Sequence, residues 1–199
     1  MKRTFLEAVI NRRTIYDISG ERPISDERLK EIMEMVILHT PSAFNSQTSR
    51  TVLLLDDHHR RLWSIVLETL RQRTDPAKFK NTEEKIAGFA AGYGTLLFFE
   101  ELTIVQDLQE RFPRYKDSFP IWSEHSSAIL QFAVWTALSD EGLGASLQHY
   151  NPIIDDQVKE TWKLPRSWKL IAQMPFGKLV TAAGEKEFAN MEDRLKIFR

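Results

Sequence analysis

Two adjacent arginines near the start of the sequence are the side chains best suited to bind an anion. In the stretch FLEAVINRRTIY, three apolar residues at i, i+3 and i+4 mark the inward stripe of a helix: Phe5, Ala8 and Val9. Continuing that spacing brings Arg12 and Arg13 to positions where further core residues are due. A guanidinium there needs an acceptor, and its fork matches phosphate oxygens. This stretch alone favours a solvated helix C-terminus, stabilised by the helix dipole, and leaves a phosphate site as the alternative.

Two polar loops are further candidates for a binding site. The loop PSAFNSQTSR, residues 41–50, joins a helix to an apolar strand. The loop SDEGLGASLQHYNP contains Gly142 and Gly144, which can end a helix in the left-handed conformation and leave backbone N–H groups facing outward. Such groups could hydrogen-bond a flat cofactor. The alternatives are an ordinary connector for the first loop and a plain glycine C-cap for the second.

No pattern in the sequence predicts a metal site or a catalytic acid, base or nucleophile. Cysteine is absent, which excludes disulfides, thiolate metal ligands and cysteine nucleophiles. His58 and His59 are neighbours on a predicted helix and point about 100° apart, so they cannot both hold one ion from that face. The other histidines are isolated and are expected to be solvated or satisfied in the core: His39, His125 and His149. Asp56 and Asp57 are interpreted as capping carboxylates at a strand-to-helix junction.

Length and composition predict one ordinary globular domain over residues 1–199. Hydrophobic residues make up 42% of the chain and charged residues 28%, and a net charge of -1 gives no field that would gather nucleic acid. The apolar run at the N-terminus is too short and too interrupted for a signal peptide or a membrane span. We therefore expect a cytoplasmic protein with no nucleic-acid or membrane partner.

Apolar spacing predicts the elements that must position these loops. Ser25 caps a helix that ends at Pro41, and further helices are predicted at about 57–74, 86–90, 102–112, 124–139 and 154–164. The helix at 124–139 is apolar on nearly every side and is expected to be central and buried. Apolar runs predict strands at 51–55, 95–99 and 167–177. Three glycines do not match a dinucleotide fingerprint and are predicted to serve packing and turns: Gly88, Gly92 and Gly94.

Two further stretches allow more than one interpretation. The aromatic and basic segment RFPRYKDSFPIW, residues 111–122, is either a substrate lid or a surface crossing. The polar tail after Lys178 closes with RLKIFR, in which Leu195, Ile197 and Arg199 share one face of a predicted strand. A terminal strand without a hairpin partner is expected to add to a sheet edge, in this or another subunit.

Four motifs, taken in order, resemble the flavin-dependent nitroreductases. They are Arg12-Arg13-Thr14 after the first helix, PSAFNSQ after the second, Glu141-Gly142-Leu143-Gly144 after the central helix, and Phe176-Gly177-Lys178 after a strand. Within that family the chain is most similar to the branch typified by the fatty acid repression mutant protein. The resemblance implies an α+β fold with a mainly antiparallel sheet flanked by helices. It also implies an intertwined homodimer with two FMN molecules at the interface and a C-terminal extension, from about residue 178, that reaches the partner.

The resemblance also implies which residues bind FMN. Those on the phosphate and ribityl side are Arg12, Arg13, Thr14 and, as the C-terminal basic group, Lys186. Those that would approach the flavin from the partner subunit are Pro41, Ser42, Asn45 and Gln47. Those that place backbone beside the isoalloxazine ring are Gly142 and Leu143. Tyr16 completes the set of predicted FMN-binding residues. The chain departs from the commoner family pattern at two places: Tyr16 stands where many relatives carry a second basic residue, and Thr48-Ser49 stands where a Pro-Trp pair is usual.

The activity that the resemblance implies is an FMN-dependent NAD(P)H oxidoreductase. NADH or NADPH would reduce FMN by hydride transfer and leave, and a nitroaromatic or quinone-type acceptor would replace it in a ping-pong cycle. This chemistry requires no catalytic side chain, in agreement with the absence of one in the sequence patterns. Two alternatives stay open: a flavin-binding regulatory protein in lipid or stress response with incidental reductase activity, and a structural helical dimer without a cofactor.

Overall fold

Helices flank both faces of one sheet in residues 3–199, the part of the chain that the computed structural model describes. Met1 and Lys2, which open the basic N-terminal stretch, lie outside the described residues. The helices are α1 (Phe5–Asn11), α2 (Asp26–His39), α3 (Asp56–Arg71), α4 (Phe79–Ala90), α5 (Leu102–Arg111), α6 (Phe119–Asp140) and α7 (Asp155–Thr161). The strands are β1 (Ile18–Ser19), β2 (Ser49–Leu55), β3 (Gly94–Glu101), β4 (Leu143–Ala145) and β5 (Trp168–Leu179).

The five-stranded sheet is antiparallel at every strand pair. Its order is β1-β5-β3-β2, and β4 pairs with β5. One parallel bridge, from Thr14 to Ala145, lies outside the named strands. The α+β fold with a mainly antiparallel sheet and flanking helices, predicted from the sequence, is confirmed.

The central strand β3 contributes to a hydrophobic core on each face of the sheet. Successive side chains of a strand point to opposite faces. Leu96 and Phe98 therefore pack in the core with α2 and α6, while Leu97 and Phe99 pack in the core with α3, α4 and α7. Both faces of β3 are covered, which explains its unbroken apolar sequence.

The structure corrects several predicted boundaries. Helix α1 ends at Asn11, so Arg12 and Arg13 leave the helix, and Phe5 is 73% exposed rather than inward. Helix α6 begins at Phe119 rather than near residue 124, because proline is well tolerated in the first turn of a helix. The aromatic segment at 111–122 is thereby reduced to a short turn at Pro113–Tyr115.

One local prediction, that Asp56 and Asp57 cap helix α3, is wrong. Helix α3 has no side-chain cap, and the carboxylate of Asp56 pairs with Arg22 instead. In the single chain, residues 195–199 pair with no strand, and their addition to a sheet edge of another subunit stays a prediction. A 3-10 turn at Met191–Asp193 is the regular structure after β5 in the described residues.

Substituting Gly177 is expected to destabilise the sheet where β1, β4 and β5 meet. A Cβ on Gly177 would overlap the carbonyl oxygen of Ser19 and lie 3.0 Å from the backbone nitrogen of Tyr93. We expect Gly177→Ala to lower the free energy of unfolding by about 1–3 kcal/mol, the usual cost of overpacking. Gly88→Ala is the control, since a Cβ there meets nothing within 4 Å and alanine favours helix α4. Equal urea midpoints for the two variants would contradict this close packing.

Candidate functional site

Arg12 is a half-buried cation, and its buried Nε–H has no hydrogen-bond partner in the described part of the chain. Its guanidinium lies 4.4 Å from the centre of the Trp135 ring on α6. Within residues 3–199, neither Arg12 Nε nor Trp135 Nε1 has a hydrogen-bond partner, and both atoms are buried. Burial, and to a smaller extent Arg13, lowers the pKa of Arg12. An unsatisfied buried donor costs about 1–3 kcal/mol, so an anionic group bound here would relieve two such costs.

The residues next to Arg12 connect it to the tail and to β4. Arg13 Nη2 donates to the carbonyl oxygen of Gly184 at 2.8 Å, two residues before Lys186. The backbone of Thr14 bridges to Ala145 at the end of β4. Gly142, just before that strand, has a φ of 82°, so its predicted left-handed conformation is confirmed.

The predicted residues of this region therefore converge near the C-terminal half of α6, with three exceptions. Leu143 is buried in the core, so only its backbone could face a ligand. Lys186 is exposed, and its ammonium nitrogen lies 5.1 Å from the ring centre of Phe188. Tyr16 is exposed as well, with its ring 6.4 Å from that of Phe89 on α4.

The loop after α2 is held in a strained conformation. Three residues that are not glycine have positive φ: Phe44 at 58°, Asn45 at 50° and Gln47 at 49°. Each such residue costs on the order of 1–3 kcal/mol, and these conformations concentrate at functional sites. Gln47 N donates to Ser42 Oγ at 2.9 Å, which helps to hold the loop. The strain supports the prediction that this polar loop is part of a binding site.

Phe44 projects from this loop into a group of aromatic side chains. Its ring centre lies 5.2 to 5.9 Å from those of Phe112, Tyr115, Phe119 and Trp122. A cavity of about 430 Å³ opens beside the loop and is bounded by Phe44, Trp122, His125 and Ile129. A second cavity of about 610 Å³ lies on the α2 side of the loop, where Arg50 is the basic lining residue.

The structure brings the predicted residues together in two groups rather than one. Ala43 N donates to Ser126 Oγ of α6, whereas Arg12 lies over Trp135 of the same helix. These two positions are nine residues apart, which corresponds to about 14 Å along a helix axis. One chain therefore carries two groups that are separated along α6. One is a candidate anion-binding group around Arg12, Arg13 and Thr14, and the other is an aromatic loop group around Phe44.

A buried carboxyl group lies behind the strained loop. Glu100 on β3 is 1% exposed, and its Oε1 accepts a hydrogen bond from Ser49 Oγ at 2.5 Å. Burial raises the pKa of Glu100, against smaller opposing effects of the hydroxyl groups of Ser49 and Thr48 and of the charge of Arg50. Glu100 therefore anchors the strand end at which the loop arrives.

Glu100 is expected to make stability fall as the pH rises. Because its pKa is raised in the folded state, its contribution is fully present below the ordinary glutamate pKa and is lost as the pH rises through the folded-state value. Glu100→Gln keeps an acceptor for Ser49 but cannot ionise. We expect its stability advantage over the wild type to grow from pH 5 to pH 8 in urea titrations. Glu84→Gln on the exposed face of α4 is the control, and parallel pH curves for Glu100→Gln and the wild type would refute this interpretation.

Four residues of this region were absent from the predicted site. They are Phe44, Trp122, His125 and Trp135. Phe44 lies in the polar loop 41–50 and Trp122 at the end of the aromatic segment 111–122. Both segments were identified from the sequence as candidates, so these two residues could have been included. Trp135 sits in an apolar helix sequence typical of core, and the sequence contains no signal that its N–H lacks an acceptor.

His59 is buried in the core, and both of its ring nitrogens have hydrogen-bond partners. Its Nδ1 lies 2.8 Å from Thr95 Oγ1 and its Nε2 lies 3.2 Å from the carbonyl oxygen of Ala90. Burial lowers the pKa of His59. Across the described chain, no three His, Asp or Glu side chains gather as a metal site requires. In the same residues, no helix is both long enough and apolar enough to cross a membrane.

The family model and the similar proteins of known sequence all indicate the same family. The family model described as "Nitroreductase family" matches residues 9–178. Nitroreductase FRM2 of Saccharomyces cerevisiae is 34% identical over 188 residues, covering 94% of this chain and 93% of the relative. The relative belongs to the branch that the sequence motifs indicated, and that prediction is confirmed.

Solved structures agree with this assignment. Nitroreductase CinD from Lactococcus lactis, in complex with 4-nitrophenol, has a TM-score of 0.90 at 43% identity and covers 98% of this chain and 100% of its own. The same protein has been solved with nicotinic acid and with chloramphenicol. A protein from Exiguobacterium sibiricum in complex with FMN shares the fold, with a TM-score of 0.68 at 14% identity. The chain therefore belongs to the nitroreductase family.

Proposed function

We propose that the protein is an FMN-dependent NAD(P)H oxidoreductase that reduces nitroaromatic or quinone-type acceptors by a ping-pong cycle. The observation that carries the proposal is the pair of buried donors, Arg12 Nε and Trp135 Nε1, which lack an acceptor and suit a phosphate group. The aromatic loop group supports a flat acceptor. The small aromatic ligands bound to CinD, at 41 to 43% identity, support the same acceptor class.

In this proposal the residues of the anion-binding group hold FMN. Arg12, Arg13 and Thr14 lie on the phosphate and ribityl side with Lys186, and the backbone at Gly142 and Leu143 lies beside the ring. When bound, FMN supplies the hydride transfer between nicotinamide and acceptor. The positive charges of the arginines favour the negatively charged cofactor, and no side chain is required as an acid or base.

We also propose that the protein works as a homodimer. One face of α6 leaves three large apolar side chains exposed in the single chain: Ile121 (56%), Ile129 (46%) and Phe132 (40%). Apolar side chains of α1 and of the tail are exposed as well, namely Phe5, Leu6, Ile10, Phe188, Met191, Leu195, Ile197 and Phe198. Large apolar side chains left exposed in this number support an association site.

A second copy of the chain is the occupant that also completes the site. In the dimer that we propose, the loop bearing Pro41, Ser42, Asn45 and Gln47 would face the FMN held by the partner. Residues 1–199 then form one domain, with the extension from about residue 178 reaching across to the other subunit.

The decisive experiment is the absorption spectrum of the purified protein before and after anaerobic addition of NADH or NADPH. We expect a flavin spectrum that bleaches with a nicotinamide donor and recovers on adding a nitroaromatic or a quinone. Bound FMN with negligible NAD(P)H consumption would favour the regulatory alternative. A colourless protein whose thermal midpoint does not change with added FMN would refute the proposal.

A further inference from the structure

The C-terminal end of helix α6 carries two carboxylates where the helix dipole disfavours negative charge. Asp140 ends the helix, and Glu141 is its C-cap. A carboxylate at a helix C-terminus lies near the partial negative charge of unpaired carbonyl groups. Each of the two is paired with an arginine from a distant part of the chain, Asp140 with Arg3 and Glu141 with Arg28. A locally unfavourable residue whose cost is offset by distant residues indicates a functional position.

The pair of Arg28 and Glu141 is the more tightly constrained of these two contacts. Arg28 Nε and Nη2 both donate to Glu141 Oε1, at 3.1 and 2.6 Å. The Glu141 side chain is 26% exposed, less than the carboxylate of any other ion pair in residues 3–199. Arg28 is anchored as well, because its backbone N–H donates to the capping hydroxyl of Ser25. Exposed ion pairs generally contribute little, but two charge-assisted hydrogen bonds between anchored residues hold α2 and the end of α6 in one relative position.

The turn that follows Glu141 is held on both sides and is open to a ligand. On one side Glu141 is tied to α2, and on the other Leu143 is buried in the core. Gly142 lies between them with its left-handed backbone exposed, and a Cβ there would meet nothing within 4 Å. The ion pair therefore helps to determine where the exposed backbone of Gly142 lies.

We propose that Arg28 is a positioning residue of the flavin site, which through Glu141 fixes the backbone of Gly142 and Leu143 and neutralises the carboxylate next to it. This inference deepens the proposed function and rests on it for the place of the flavin ring beside Gly142. Arg28 acts through Glu141 and not on the reacting atoms.

Amide hydrogen exchange tests the positioning without depending on the flavin. The N–H groups of Glu141 and Gly142 are the reporters, because they donate to the carbonyl oxygens of Ala137 and Ser139 at the end of α6. We expect Arg28→Gln and Glu141→Gln each to speed the exchange of these two amides about five- to tenfold, with and without added FMN. The double variant should show no more than the larger single effect, because both substitutions remove one contact.

Lys30→Gln is the matched control, since Lys30 lies on the same helix, is exposed and pairs with Glu34 one turn away. It should leave the exchange of the two reporter amides unchanged. Amides of β3 serve as the internal reference, since a general loss of stability would speed their exchange as well. Equal exchange of the reporter amides in Arg28→Gln and in the wild type would overturn the proposal.

The reduction potential of bound FMN provides a measurement that a merely structural role would not shift in this way. Arg28→Gln leaves the Glu141 carboxylate without its cation, which disfavours the more negatively charged reduced flavin. We expect the preference for reduced over oxidised flavin to fall about fivefold, which lowers the potential by about 20 mV for a two-electron couple. Glu141→Gln should shift the potential in the opposite direction, and the double variant should return it to the wild-type value.

Shifts of the same sign in both single variants, or no shift in either, would overturn the proposal. A wild-type protein that binds no FMN would refute the proposed function. The exchange measurement without FMN would still decide whether Arg28 fixes the turn at Gly142, so the two failures are distinguishable.

Discussion

Arg12→Ala is expected to weaken FMN binding by about 10- to 100-fold, the size of a lost hydrogen bond to a charged group. The guanidinium packs against the Trp135 ring, and its buried Nε has no acceptor in residues 3–199. A phosphate there would accept a charge-assisted hydrogen bond from Arg12. Because the side chain is already held against Trp135, little side-chain entropy would be lost on binding. Fluorescence titration of FMN into the FMN-free protein measures the loss, since free and bound flavin differ in emission.

The same substitution is expected to change the stability of the FMN-free protein by less than about 1 kcal/mol. Removing the side chain loses a cation–π contact of about 0.5–2 kcal/mol but also removes a buried, incompletely paired cation, and the two effects oppose each other. Arg12→Lys keeps the charge without the planar fork and should give an intermediate affinity. Arg111→Ala, an exposed arginine paired with Asp107, is the control. Unchanged FMN affinity in Arg12→Ala would remove Arg12 from the site.

Local signals in the sequence were sufficient for the main elements of the fold. Ser25 caps α2 through the backbone N–H of Arg28, as its position predicted. The unbroken apolar run in β3 indicated a strand covered on both faces, and Gly142 indicated a left-handed helix end. Each of these depends on residues close together in sequence, where steric preference and hydrogen-bonding capacity act directly.

The errors arise where distant parts of the structure decide the outcome. The tail sequence RLKIFR alternates like a strand, but a strand requires a partner, and in the single chain this segment pairs with none. Helix α6 has an apolar sequence on nearly every side, yet the single chain covers only part of it. Both deviations have the same physical explanation if a second subunit supplies the missing surface.

The site was predictable in its loops but not in its internal geometry. The polar composition of residues 41–50 marked the first loop, whereas a φ of 58° for Phe44 runs against the preference of a bulky side chain. The approach of Arg12 to Trp135 joins residues that are far apart in sequence. No local pattern specifies which cation will lie over which ring.

Phe132→Glu is expected to convert the protein to monomers and to release most of its FMN. Phe132 lies on the apolar face of α6 and is 40% exposed in the single chain. A carboxylate buried in an apolar interface without a partner should weaken dimerisation at least about 100-fold, about 2.7 kcal/mol per site. The FMN would then lack the loop that the partner contributes. Sedimentation velocity and the flavin absorbance after desalting measure the two effects.

The control for this variant is Asn81→Glu, which adds the same charge to an exposed position on α4. It should remain dimeric and keep its flavin. Because Phe132 is partly exposed, Phe132→Glu should retain the helical circular dichroism of the wild type, so a loss of FMN cannot be attributed to unfolding. A Phe132→Glu protein that sediments as a dimer with its FMN in place would exclude this face of α6 from the interface. A wild-type protein that is monomeric while carrying FMN would show that one chain completes the site, against the proposed dimer.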